Sequence, residues 1–166
     1  MSRPDSVAID EAILAVLRTD AALAAAMPGG VWFSLAPEGL DRFVLVVLEP
    51  TTDVAEFGRR AQEQCRYQIT AAGLSGTHPA IQAAMQRIDV LLEDRPLTID
   101  GYAWSTTYRD GRHRLMTRET NLDRESIWEY GIAWYRVDVA PIWPPAPGPS
   151  LWVQTVPPWT QAGWMQ

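Results

Sequence analysis

The 166-residue chain has no lysine: all fourteen basic residues are arginines. Together with its abundant Ala, Pro and Trp, this matches a GC-rich coding sequence and carries no chemistry of its own. Cysteine is almost absent. The single Cys65 cannot close an intramolecular disulfide, so a disulfide-stapled secreted fold is excluded. Histidine is scarce too. His78 and His113 do not stand at metal-ligand spacing with each other or with Cys65, and a zinc site is not expected. No run approaches ~20 uncharged apolar residues, and Arg3, Asp5, Asp10 and Glu11 interrupt the region where a signal peptide needs an apolar core. We expect a soluble protein, used without translocation and without a membrane partner. The net charge of −6 argues against a protein built mainly to grip nucleic acid.

What is present is an ordinary apolar fraction in a chain long enough for one domain with a real core. Its clearest segment is Pro79 to Asp94. Ile81, Met85, Ile88 and Leu92 recur at helical spacing, widened by Ala84 and Leu91, with Gln82, Gln86, Asp89 and Glu93 opposite. Pro79 marks its start and Pro96 its end. Before it, Ile9, Ile13, Val16 and Leu17 predict a first helix capped by Asp5 or Ser6, and Asp20 can cap a short second one over Ala21 to Met27. Phe43 to Leu48, FVLVVL, reads as a strand buried on both faces. Cys65, Tyr67, Ile69 and Ala71 alternate with polar or small residues, as in a half-buried strand. Ala103 to Arg109 and Arg112 to Arg118 flank Asp110-Gly111, a dipeptide suited to a type I′ hairpin turn. Ser126 to Val139 carries Trp128, Tyr130, Ile132 and Trp134 on one parity and Ile127, Tyr135, Val137 and Val139 on the other, predicting a long internal strand with a possible bulge at Gly131.

The sum is an α+β domain over residues 1–139: an antiparallel or mixed sheet of about four to five strands covered by one long amphipathic helix, plus an N-terminal helix. After Asp138 the character changes. Seven of the thirteen prolines and four of the eight tryptophans lie there, and no charged residue does. Residues 140–166 are expected to form an extended arm of polyproline type.

No catalytic constellation is present. No serine sits in a nucleophile-elbow pattern, no glycine-rich loop suits a phosphate, and Glu49, Asp53 and Glu56 read as solvated loop carboxylates after a strand. No cofactor is called for. Two groups remain as interface candidates: Arg109, Arg112, His113 and Arg114 at the predicted hairpin, and Trp143, Trp152, Trp159 and Trp164 of the arm, tryptophan being enriched at interface hot spots. Trp32, Trp104, Trp128 and Trp134 read as core or strand-face residues.

The element order carries a resemblance. LRTDAALAAAM leading to GGVWFSLAPEG, then FVLVVLEP, CRYQITAAG, HPAIQAAMQRIDVLLEDRPLTIDGY and IWEYGIAWYRVDV together resemble the tail-completion, or tail terminator, proteins of long-tailed bacteriophages and gene transfer particles, over roughly Ser6 to Val139. The resemblance implies a non-enzymatic virion protein of the tail or neck, assembled in the host bacterial cytoplasm. It implies a homo-hexameric ring that caps the head-proximal end of the tail tube, stops its polymerisation and meets the head-tail connector protein. Its partners are then further copies of itself, the tail tube protein and the connector, with at most incidental DNA contact in the ring lumen. It supplies no catalytic residues and does not extend to the arm. Two other readings stay open: a different neck component, such as a head-closure or tube adaptor protein, and a carbohydrate-binding module that uses exposed tryptophans.

Overall fold

The fold is built around two long strands. In the structure, a computed structural model that describes residues 5–56, 59–110, 115–121 and 126–143, β4 (Arg59–Leu74) and β7 (Ser126–Pro141) each run for 16 residues. They pair antiparallel from Glu63↔Val139 to Leu74↔Trp128. Each lends its outer edge to two shorter strands placed end to end. β2 (Arg42–Leu48) and β3 (Thr52–Glu56) both pair with β4, while β5 (Tyr102–Arg109) and β6 (Leu115–Asn121) both pair with β7. The short β1 (Val31–Phe33) adds to β2 as the one parallel pair among the described residues. The result is a seven-stranded mixed sheet with the path β1-β2-β4-β7-β5.

Three helices lie on one face. In α1 (Val7–Arg18), Ile9, Ile13 and Leu17 are fully buried, so the four-residue spacing of its apolar positions becomes a contact stripe. The short α2 (Ala21–Ala26) sinks Leu23 and packs on α3 (His78–Leu92), which buries Ile81, Ala84, Met85, Ile88 and Leu92 and rests on β4, β5 and β7. Beneath them the sheet offers Val44, Val46, Cys65, Tyr67, Ile69, Ala71, Tyr135, Val137 and Val139, all at most 1% exposed. Burying each large aliphatic chain contributes about 2 kcal/mol.

This arrangement overturns the expected α+β domain of about four to five strands beneath one long helix. Among the described residues strand outweighs helix, the sheet has seven strands, and no single long helix covers it. The reason is dimensional. A 15-residue helix is about 22 Å long and ~10 Å across, whereas a five-strand path is about 19 Å wide. One such helix leaves half the face wet, and α1 and α2 close it.

The hairpin predicted at Asp110-Gly111 is also absent. β5 and β6 do not pair with each other; they run in the same direction along one edge of β7, from Arg109↔Tyr135 to Leu115↔Ile132. Asp110 still donates its backbone N–H to Trp134 O at 2.8 Å, which carries the β5 edge one residue past Arg109. The reversal falls between Asn121 and Ser126, which are paired in register. Thr52–Glu56 is likewise a strand and not a loop.

Local chemistry pins the helices to the sheet. Asp20 caps α2 by accepting from Leu23 N at 2.8 Å, and also receives Arg87 of α3 through Nη2 at 2.6 Å and Nε at 3.0 Å. The N-terminal turn of α1 is held by Ser6 Oγ donating to the buried Glu63 Oε1 at 2.5 Å, and by Tyr67 OH donating to Asp10 Oδ1 at 2.5 Å. Tyr102 OH also donates to Glu63, through Oε2 at 2.8 Å. Gly73 is required where β4 passes the start of α3, because a Cβ there would stand 2.3 Å from Thr77 Oγ1. That hydroxyl is fixed by donating to Leu74 O at 2.5 Å.

Two outcomes follow. Thr107 is fully buried under the helices and its Oγ1 has no hydrogen-bond partner among the described residues, so Thr107→Val should raise unfolding stability by about 1 kcal/mol in denaturant titration. Asp20→Ala should cost about 1 kcal/mol through the lost cap. The Arg87 hydrogen bonds first, and then the Leu23 N–H, hold the Asp20 carboxyl below its ordinary 3.8. Its contribution is therefore fully present above that value and lost as pH falls through the lowered one, so the gap between wild type and Asp20→Ala should narrow only under acid conditions.

Candidate interaction surface

Side chains alternate across a strand, so the residues between the buried ones face away from the helices. On β2 these are Phe43, Leu45 and Val47; on β7 they are Trp128, Tyr130, Ile132, Trp134 and Arg136. All are half-buried, and Trp32 stands beside Leu45 in register. Among the described residues no helix lies over this face. The expectation that FVLVVL is buried on both faces is therefore met on one side only.

Register places these residues in rows. Phe43, Ala72 and Tyr130 form one, Leu45, Thr70 and Ile132 the next, and Val47, Gln68 and Trp134 a third. Because the middle strand contributes small residues in the first two rows, rings from its neighbours can meet above it. Phe43 and Trp128 make an edge-to-face contact at 5.9 Å between centroids, and Trp128 stacks on Tyr130 at 6.5 Å. With the turn at residues 36–40 they line a pocket of about 200 Å³. Leu35, which precedes that turn, is 81% exposed.

Toward the other end of β7 the same face becomes polar. Trp134 Nε1 donates to Glu49 Oε1 at 2.9 Å, Arg66 lies over the Trp134 ring at 5.7 Å, and Arg66 joins Glu49 (3.1 Å) and Asp110 (2.8 Å). Arg136 pairs with Asp138 at 2.9 Å and lies 5.9 Å from the Tyr108 ring. Burial first, then the Asp138 charge, raise the Tyr108 hydroxyl above its ordinary value. Every arginine named here has a carboxylate partner, so among the described residues the aromatic end is the apolar part of this face.

The predicted interface residues divide. Arg109 turns toward the helices: its guanidinium reaches Asp89 at 3.1 Å and Glu93 at 3.5 Å, while the Tyr135 hydroxyl donates to the other Asp89 oxygen. It ties β5 and β7 to α3. Trp143 is half-buried just past β7, where Ile142 N donates to Gly101 O at 2.7 Å. Arg112, His113, Arg114, Trp152, Trp159 and Trp164 lie outside the described residues. Sequence reasoning did not single out the Phe43–Trp128–Tyr130 cluster or the Glu49–Arg66–Asp110 group. The signal for the first was present in the apolar residues on both parities of two adjacent strands. The second needs long-range register and had none.

Cys65, the sole cysteine, lies buried in the core. Burial, then the nearby Glu63 charge, push the Cys65 thiol up to about 12, so it stays protonated at neutral pH. No group of three or more metal-binding side chains is found among the described residues, and no helix among them is long and apolar enough to cross a membrane.

Comparison with known proteins gives a consistent relationship. A family model described as tail completion protein gp17 matches residues 11–128. A chain in the solved virion of a native gene transfer agent particle is similar in fold, with a TM-score of 0.62 and 17% identity, covering 84% of this chain and 99% of that one. A second solved chain is similar at a TM-score of 0.52 and 14% identity, covering 84% of this chain and 98% of the other. No curated protein matches by sequence.

The contrast between the faces is testable within one strand. Val46 is fully buried beneath the helices, whereas its neighbour Leu45 is half-buried on the open side. In the unassembled protein Val46→Ala should cost about 2 kcal/mol of stability and Leu45→Ala less than about 1 kcal/mol, although leucine is the larger residue. Chemical denaturation at low protein concentration measures both.

Proposed function

The chain belongs to the tail completion protein gp17 family, and on that premise we propose that it is a structural subunit of a phage-type tail that caps the head-proximal end of the tail tube. The single observation that carries this reading is the family match across residues 11–128, which spans most of α1, then α2, α3, β1 to β6 and the start of β7. In this role the subunit closes into a ring of six copies, ends tube polymerisation and presents a surface to the head-tail connector. Its partners are copies of itself, the tail tube protein and the connector, and its place is the neck of the particle, assembled in the host cytoplasm. The task is one of shape and contact, and it needs no catalytic residue.

A closed ring requires two different patches per subunit that fit one another, since a single self-complementary patch ends in a dimer. The surface supports this. One patch is the aromatic end of the open sheet face, and the arm after Asp138, with its tryptophans and no charge, supplies another of different chemistry. The arginines around residues 109–114 are a third contact candidate, though Arg109 itself is engaged with Asp89 and Glu93.

The experiment is to produce particles that lack this protein and to measure their tails by electron microscopy. Overlong or headless tubes are expected, and purified protein added back should restore length control. Tails of normal length joined to heads would contradict the proposal. So would a purified protein that remains a monomer in the presence of tube protein.

A further inference from the structure

Among the described residues the helices cover one face of the sheet, while one end of the other face is apolar as well. β2 and β7 carry large apolar residues on both parities, a pattern that belongs to strands buried on both sides. Yet Phe43, Leu45, Trp128, Tyr130 and Ile132 remain half-buried with no helix above them among the described residues. The pocket bounded by Phe43, Trp128, Tyr130 and the 36–40 turn is about 200 Å³. That is below the ~300–1,000 Å³ usual for small-molecule sites, and suits a single large side chain.

We propose that the aromatic end of this face receives the C-terminal segment 144–166 of a neighbouring copy, with one of its tryptophans seated in the pocket. This deepens the ring reading above and rests on it. Three features of the chain select that occupant. The segment is uncharged and holds Trp152, Trp159 and Trp164, so burial against aromatic rings strips no charge of its water and uses the side chain best suited to anchoring an interface. Its reach is sufficient: 23 residues extend to about 70 Å in polyproline form. Its point of departure favours a neighbour over the parent face. β7 ends at Pro141, some 13 residues or about 44 Å along the strand from Trp128. Ile142 is bonded to Gly101, and Pro144, Pro145, Pro147 and Pro149 follow in the sequence, a proline spacing that favours extended backbone over a tight return toward Trp128. The family match ends at residue 128, so the segment is a feature of this chain beyond the matched part.

The test uses two full-length variants. One replaces Trp152, Trp159 and Trp164 by Ala in the segment; the other is Trp128→Ala at the pocket. Circular dichroism and thermal unfolding verify that each still folds. Sedimentation equilibrium then measures self-association. Each variant should associate about 30-fold more weakly than wild type. A mixture should associate more strongly than either variant alone, because an intact segment from one chain meets an intact pocket on the other. Weakened variants whose mixture shows no recovery would overturn the proposal in favour of a segment folded onto its own subunit. Wild-type association in both variants would overturn it while leaving the ring reading intact. A loss confined to the segment variant would place the arm on a different surface and equally overturn it.

Discussion

Twelve consecutive residue pairs join β4 to β7, and every other strand except β1 is attached to one of these two. This pairing is the constraint on which the molecule depends. It connects residues more than fifty positions apart, so its closure carries the largest loop-entropy cost in the sheet. It also determines which side chains go where. One parity of β7 delivers Tyr135, Val137 and Val139 to the helices, and the other delivers Trp128, Tyr130 and Trp134 to the opposite side. A slip of one residue would exchange these sets and place tryptophans beneath α3. Gly73, confined by Thr77, and the Asp89–Tyr135–Arg109 network both act against such a slip by locking α3 to this register.

Much of this was legible where the signal is local. The stripe of α3 ran from Ile81 to Leu92 as its spacing indicated, Asp20 caps α2, and the two-sided apolar pattern of Ser126 to Val139 became the longest strand partner. The failures were those of long-range register. Asp110-Gly111 favours a tight turn by its backbone preferences, but that preference is small beside the hydrogen bonds that β5 and β6 each make with β7. Both strands therefore run in the same direction along β7 instead of pairing with each other. The four residues between the paired Asn121 and Ser126 contain no glycine, asparagine or proline, so their sequence gave no warning of the reversal. β3 was missed because Thr52 to Glu56 is a short edge strand whose Asp53 and Glu56 break the apolar pattern that marks a core strand. The single-helix cover failed because sheet width follows from topology, which no periodicity reveals.

The interaction surface was legible in outline only. Tryptophan count and the uncharged terminal segment pointed to contact with other molecules. The aromatic cluster of Phe43, Trp128 and Tyr130 could not be assembled without knowing that β2 and β7 flank the small residues of β4. Conversely, Arg109 drew attention as a cation near a supposed hairpin tip, while its geometry gives it an internal use between sheet and helix.

Among the described residues the helices cover one face of the sheet, and the central proposal is that assembly covers the other. Hydroxyl-radical footprinting of the free and the assembled protein addresses it directly. The account predicts strong protection of Phe43, Trp128 and Tyr130 on assembly, with little change at Tyr67 and Tyr135, which are already buried. Equal labelling of Phe43, Trp128 and Tyr130 in the two states would contradict it.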